Sequence, residues 1–167
     1  MTTAATRRLH PSQIDLDESA RQGLVELLNR QLADTADLAS QLKQAHWNVK
    51  GLHFQQLHEL FDAVHAALEP FADMLAERVT TLGGTALGTV RMAAQASTLP
   101  EYPAEATGGK DHLELLQARV AAYAGSTRAG IGQAEQLGDP TTADLLTEVS
   151  RAVDLQLYFL ESHLQGS

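Results

Sequence analysis

Apolar residues recur at steps of three and four along four long stretches of this 167-residue chain. That period places them on one face of an α-helix, whereas the side chains of a strand alternate with a period of two. The first stretch starts soon after the segment DLDES and runs to about Val49, where Gly51 stops it. The apolar positions of the other three are Leu57, Phe61, Val64, Leu68, Phe71, Leu75, Val79 and Leu82; Leu113, Leu116, Val120, Tyr123 and Ile131; and Leu146, Val149, Val153, Leu157, Leu160 and Leu164. We therefore expect an all-α protein.

The connections between the stretches predict how the helices are arranged. The first two are joined by a short loop, and the segment DPTTAD begins the fourth with a capping side chain and an early proline. About 25 residues separate the second from the third, enough for a short helix near VRMAAQAS. Short, long and short connections make an antiparallel four-helix bundle with one crossover, the ferritin-like topology.

Composition narrows the function classes. Acidic residues outnumber basic ones by 21 to 12, a formal net charge of −9, which disfavours binding to phosphate backbones and favours cations. Cysteine is absent, so any metal must be held by imidazole and carboxylate. No apolar run is long enough for a membrane span, and the start has no signal-peptide core. We expect a cytoplasmic protein with a short flexible arm at 1–15 and one domain at 16–167.

A polar stripe follows the second helix, about 100° around the axis from its apolar face. Its members are His58, Asp62, His65, Glu69, Asp73 and Glu77. A stripe beside a core is ordinarily solvated surface. However, His58 and Asp62 form an i, i+4 pair that can aim two ligands at one point, and Asp73 and Glu77 form another. Spacing alone leaves both interpretations open.

The two pairs cannot hold one ion within a single chain. Asp62 and Asp73 are 11 residues apart, about 16 Å along a helix, whereas a metal ligand lies about 2 Å from its ion. If two such helices pack antiparallel about a two-fold axis, the first pair of one meets the second pair of the other, at two equivalent sites. His46, one short loop from His58, would complete the imidazole side. The pattern thus suggests an intersubunit metal site.

Four segments resemble one family: QAHWNVKG, HELFD, DMLAERVTTLGGTALGT and TADLLTEVSRAVDLQLYFLESHLQ. They are similar to the Dps proteins, small ferritins that protect DNA in starved cells, and the similarity covers roughly residues 20 to 165. The resemblance implies a ferroxidase centre shared by two subunits, in which one subunit supplies some of the ligands and its two-fold partner supplies the rest. Those residues are His46, His58 and Asp62 on one side and Asp73 and Glu77 on the other.

The resemblance also implies a function. A homo-oligomeric shell of twelve subunits, built from two-fold dimers, would oxidise Fe(II) with hydrogen peroxide, or more slowly with oxygen, and store Fe(III) mineral inside. Iron would be the metal at the site. Asp62 and Glu77 would bind Fe(II) first, and Asp73 would be a bridging ligand or would lie just outside the residues that touch the ion. Trp47, beside His46, is expected to be an interface aromatic or to pack on the centre.

Some residues depart from the family pattern. His65 and His163 are expected to be either surface histidines or additional ligands, for instance for zinc. His10 and His112 are expected at the surface and His53 in the loop between the first two helices, and none of the three is expected to have a role.

Two further features would affect the geometry of the site and the entry of iron. Pro70 is expected to kink the second helix locally. Acidic pore residues are expected among Glu135, Asp139 and Asp144, which are otherwise surface or capping residues.

The arm carries Arg7 and Arg8 and no lysine, so DNA binding is predicted to be weak or absent. Two alternatives to the ferroxidase shell remain. One is a nucleoid-associated structural protein that coats DNA. The other is a helical oligomer whose polar stripe is only a hydrated interface.

Overall fold

A computed structural model describes residues 9–165 and confirms the all-α, ferritin-like architecture. Its helices are α1 (Glu18–Asn48), α2 (Phe54–Thr81), α3 (Val90–Ala96), α4 (Gly109–Gln136) and α5 (Pro140–Leu164). The four long helices are the predicted bundle, and α3 is the short helix expected in the crossover. Within 9–165 the only β-type pairing is an isolated bridge between Lys50 and Gly108, so no sheet contributes to this part of the fold.

Local signals set the helix ends. The Asp17 carboxylate accepts a hydrogen bond from the backbone N–H of Ala20 at 2.7 Å, which satisfies a donor that has no partner inside α1. After α2 the chain turns at Gly83, whose φ of 86° lies in the left-handed region that glycine adopts without a steric penalty. Nη1 of Arg21 donates to the Leu82 carbonyl at 3.1 Å, so the start of α1 lies against the end of α2.

The core is built from the apolar faces predicted by the periodicity. Leu24, Leu68 and Leu146 are almost completely buried, as are most of the other stripe positions.

Polar contacts cross this core between α1 and α4. The hydroxyl groups of Thr35 and Tyr123 lie 2.6 Å apart, and the Thr127 hydroxyl donates to Oε1 of Gln31 at 3.0 Å. Burial raises the pKa of Tyr123 to about 12, so its hydroxyl stays protonated and available for the bond with Thr35.

His112 corrects one surface expectation, because its side chain is fully buried. It lies in the first turn of α4, and the crossover segment covers it: the Tyr102 hydroxyl is 2.6 Å from its Nδ1. Burial lowers the pKa of His112, which favours the neutral imidazole. His10 and His53 are exposed, as expected.

Asp139 corrects one pore expectation. Its side chain is buried at the start of α5, so its carboxylate does not reach the surface where a pore would be lined. It accepts hydrogen bonds from the backbone of Thr141 and Thr142 and pairs with Arg78 of α2, whose Nη2 is 2.7 Å away. Burial alone would raise the pKa of Asp139, but the Thr142 and Arg78 hydrogen bonds outweigh it and lower the pKa. Glu135 and Asp144 are exposed, so they keep their pore assignment as a prediction.

The chain before α1 is tied to the bundle where the structure describes it. Leu9 is buried, and the backbone N–H of His10 donates to the Gly83 carbonyl at 2.8 Å. Residues 1–8, which include Arg7 and Arg8, lie outside the described residues.

Helix α2 runs without a break through Pro70. In the part of the chain that the structure covers, no helix is long and apolar enough to cross a bilayer.

Candidate metal centre

His46 and His58 form the centre of the candidate site. His46 belongs to the last turn of α1 and His58 to the second turn of α2, and the short loop between these helices brings the rings face to face. Their centroids are 3.6 Å apart with 21° between the ring planes. The two sequence-predicted imidazole ligands are therefore neighbours in space.

Each ring is held by the main chain of the other residue. Nδ1 of His46 lies 2.8 Å from the His58 carbonyl, and Nδ1 of His58 lies 2.8 Å from the His46 carbonyl. A carbonyl only accepts, so both Nδ1 atoms carry the proton, and both Nε2 atoms present a lone pair when the rings are neutral. This is the tautomer that a metal-binding histidine needs.

Asp62 lies one turn along α2 from His58, and in the structure it is bound to a lysine. Nζ of Lys43 donates to its Oδ1 at 2.6 Å. This hydrogen bond is the main cause of the lowered pKa of Asp62, so the carboxylate is ionised and ready to bind a cation. The ammonium group occupies one carboxylate oxygen, and a metal ion has to displace or share it.

Sequence reasoning missed Lys43, although a signal was present. Lys43 precedes His46 by three residues, so the two share a face of α1. Its partner, Asp62, lies on α2. The contact therefore depends on how α1 packs against α2, and the residue spacing within one helix does not predict it.

Asp73 and Glu77 are both exposed on α2, about three to five turns beyond His58 and Asp62. A straight helix places Asp73 about 16 Å from Asp62, so the second pair does not meet the first within this chain. Across residues 9–165, no three metal-ligating side chains converge on one point. One chain thus presents two separated parts of the site.

The remaining predicted ligands and the neighbouring aromatic lie as follows. His65 is half-buried, with Nδ1 3.0 Å from the Ala39 carbonyl on α1. His163 is exposed, with Nδ1 2.7 Å from the Phe159 carbonyl, and it lines a cavity of about 610 Å3 together with Lys50 and Lys110. The two lysine ammonium groups disfavour a cation in that cavity.

Trp47 is 63% exposed, as an interface aromatic would be in a free chain.

The ferritin-like domain family matches residues 25–166. A DNA protection during starvation protein of Agrobacterium fabrum is 41% identical over 158 residues, 95% of this chain and 98% of the relative. The chain belongs to the Dps family. A second Dps relative, from Brevibacillus brevis, is 31% identical and covers 88% of this chain and 98% of its own length.

Solved Dps structures agree in fold. DpsC from Streptomyces coelicolor superimposes with a TM-score of 0.91 at 31% identity, covering 100% of this chain and 98% of its own. An archaeal Dps homologue from Halobacterium salinarum gives 0.90 at 28% identity, with 99% and 93% covered. The resemblance to Dps inferred from the sequence motifs is thereby confirmed.

Proposed function

We propose that this Dps protein is a ferroxidase that oxidises Fe(II) at sites shared between two subunits and stores the Fe(III) as mineral in a closed shell. The observation that carries the proposal is the reciprocal hold of His46 and His58. It occupies both Nδ1 atoms and leaves both Nε2 lone pairs available for a metal, with Asp62 one turn of α2 beyond His58.

The site requires a second subunit because one chain supplies only part of it. His46, His58 and Asp62 form one part, and Asp73 and Glu77, about 16 Å along α2, form the other. Antiparallel packing of two α2 helices about a two-fold axis would bring the two parts together twice. The exposed Trp47 lies beside His46 and is suited to such an interface.

The residues of the site would act on iron as substrate. The carboxylates of Asp62 and the partner's Glu77 attract Fe(II), and the imidazoles of His46 and His58 add softer nitrogen ligands. The partner's Asp73 acts as a bridging ligand or lies just outside the residues that touch iron. Each of two Fe(II) ions gives one electron to hydrogen peroxide, whose O–O bond breaks to two hydroxide ions. The carboxylates favour the ferric product because they compensate its extra charge.

Lys43 adds a step before iron binds. With its ammonium on Asp62 the empty site is partly neutralised, so Asp62 repels the partner's Asp73 and Glu77 less strongly across the interface. Arrival of Fe(II) replaces one cation by another at the same oxygen. Lys43 would thus favour assembly of the iron-free shell at some cost in Fe(II) affinity.

A shell of twelve subunits is the assembly that we propose, in the cytoplasm. Each copy brings a formal charge of −9, so the shell is acidic and attracts Fe(II) through negative openings. The same charge repels DNA. Consumption of Fe(II) and peroxide together would protect DNA and the cell without direct contact.

Direct DNA coating is the second candidate, favoured by the names of the curated relatives, which are DNA protection during starvation proteins. It requires cationic surface that neutralises phosphates. Twelve basic residues against 21 acidic ones make this the weaker candidate.

The test is anaerobic loading with Fe(II), followed by peroxide or oxygen, in wild type, Glu77→Gln and Glu114→Gln. Glu114 is an exposed carboxylate on α4 paired loosely with Lys110 at 3.8 Å, so its substitution makes the same charge change away from the site. We expect fast peroxide-driven formation of Fe(III) in wild type and Glu114→Gln, and its loss in Glu77→Gln. Equal, slow oxidation in all three proteins would mean that the polar stripe is only a hydrated interface.

A further inference from the structure

A cavity of about 610 Å3 lies at one end of the bundle, where the loop between α1 and α2 meets the start of α4 and the end of α5. Its walls are largely apolar and include Leu52, Leu57, Leu113 and Leu164. Leu52 is 93% exposed, which marks the side on which the cavity opens to solvent. Binding sites for small molecules are typically concave, mostly apolar and about 300 to 1,000 Å3 in volume. This cavity therefore has the size and the lining of a site for a molecule with an apolar body.

The charged side chains of the cavity are all of one sign. Lys50, His53, Lys110 and His163 line it together with the leucines, and the described residues that line it include no acidic one. The chain has three lysines in all, and two of them are placed here. In a chain with a formal net charge of −9, this end of the bundle is a local reversal of sign. The cavity therefore favours an anionic group.

Neither lysine of the cavity is held firmly by a carboxylate. Within residues 9–165, Lys50 forms no ion pair, and its Nζ lies 5.8 Å from the centre of the Phe54 ring. Nζ of Lys110 lies 3.8 Å from Oε1 of Glu114, and both side chains are exposed. An exposed ion pair at that distance contributes little to stability. Both ammonium groups are thus available to an incoming anion.

We propose that this cavity binds a small organic anion with a single apolar chain and an anionic oxygen head group, a medium-chain carboxylate or alkyl phosphate. The apolar chain would lie against Leu57 and Leu113, and the head group beside Lys50 and Lys110. Burial of the chain supplies affinity, and the two ammonium groups supply the preference for an anion. Binding involves neither a metal ion nor an oxidation step, so the inference does not rest on the proposed function.

The test is calorimetric titration of the metal-free protein, in its native oligomeric state, with octanoate, octyl phosphate, octanol and acetate. We expect octanoate or octyl phosphate to bind, and the tighter of the two identifies the head group. Octanol has the chain without the charge and should bind at least roughly threefold more weakly. Acetate has the charge without the chain and should bind more than about tenfold more weakly.

Three variants test the head-group contacts: Lys50→Met, Lys110→Met and the double variant. Arg151→Met is the matched control, because Arg151 is an exposed cation on α5, 12 residues before His163 and so about 18 Å away along the helix. We expect each single lysine variant to bind the tighter anion roughly threefold more weakly than wild type does, and the double variant about tenfold more weakly. Arg151→Met should match wild type.

Three results would overturn the inference. If neither anion binds to wild type, the cavity is closed to small molecules, as it would be if a neighbouring subunit covers it. If the tighter anion binds equally well to wild type and to the double lysine variant, the lysines do not select an anion. If Arg151→Met weakens binding as much as the lysine variants do, the effect belongs to the overall charge and not to the cavity. Lys50 and Lys110 are both exposed, so the variants should fold, and circular dichroism checks this.

Discussion

The buried pair of Asp139 and Arg78 allows a stability prediction with a defined magnitude. Asp139 caps α5 through the backbone of Thr141 and Thr142, and its second oxygen meets Arg78 of α2 at 2.7 Å. Asp139→Asn keeps an oxygen that can cap the helix but leaves the Arg78 guanidinium without its counter-charge. Breaking a buried pair on one side costs about 3 to 5 kcal/mol. Arg78 is 13% exposed, so we expect the lower end, about 3 kcal/mol.

Asp139→Ala removes the cap as well, which adds about 1 kcal/mol. For a chain of this length, each kcal/mol lowers the melting temperature by about 2 to 4 °C. The expected losses are therefore about 6 to 12 °C for Asp139→Asn and slightly more for Asp139→Ala. Circular dichroism of the assembled protein at pH 7 measures both.

Acid provides an independent check of the same pair. The pKa of Asp139 is lower in the folded state than in the unfolded state, where it is about 3.9. The contribution of Asp139 to stability is therefore complete above the unfolded-state pKa and is lost as the pH falls through the folded-state pKa. The difference in melting temperature between wild type and Asp139→Asn should be constant from pH 7 to pH 5 and should shrink below about pH 4.

A double-mutant cycle with Arg78→Met separates the pairing from the cap. The double variant Arg78→Met/Asp139→Asn should be clearly more stable than the sum of the single losses predicts, because it leaves no unpaired buried charge. Additive losses, or a loss below about 1 kcal/mol for Asp139→Asn, would refute the argument that the charge pair matters.

Three further predictions concern the candidate site and its surroundings. His58→Asn should keep the contact with the His46 carbonyl but lose the Nε2 ligand, so the rate of iron oxidation should fall at least about 100-fold while the melting temperature changes little. Wild-type rates in a stopped-flow assay with peroxide would contradict this prediction. Lys43→Met should tighten Fe(II) binding, measured anaerobically, because the carboxylate of Asp62 no longer has a resident cation; unchanged or weaker binding would show that Lys43 does not compete. Plasmid DNA should not be retained by the iron-free shell in a mobility-shift assay at about 150 mM salt, because each subunit has a net charge of −9; retention would favour the DNA-coating alternative.

The fold could be predicted from the sequence because helix periodicity is a local property. The apolar stripe that begins at Leu24 predicted the end of α1 within a residue or so, and the length of the crossover predicted the topology and α3. The i, i+4 pairs on α2 that we propose as ligands could be placed on one face for the same reason, since residues at i and i+4 share a face whatever the rest of the chain does.

Contacts between distant segments could not be predicted in this way. His112 lies beside the apolar stripe of α4, and only the path of the crossover, which brings Tyr102 onto it, makes it a core residue. Asp139 resembles an ordinary capping residue until Arg78, 61 positions earlier, is placed beside it. The ammonium group of Lys43 on Asp62 depends equally on how α1 crosses α2.

The reciprocal hold of His46 and His58 has a consequence for how iron loading affects the whole protein. Since each ring is anchored to the backbone of the other helix, the positions of the two Nε2 atoms are set by the register of α1 against α2 rather than by two independent rotamers. A shift of one helix along the other would break both anchors and separate both ligands at once. An ion bound to the pair would therefore link the helices to each other, and the protein should unfold at a higher temperature with metal than without it.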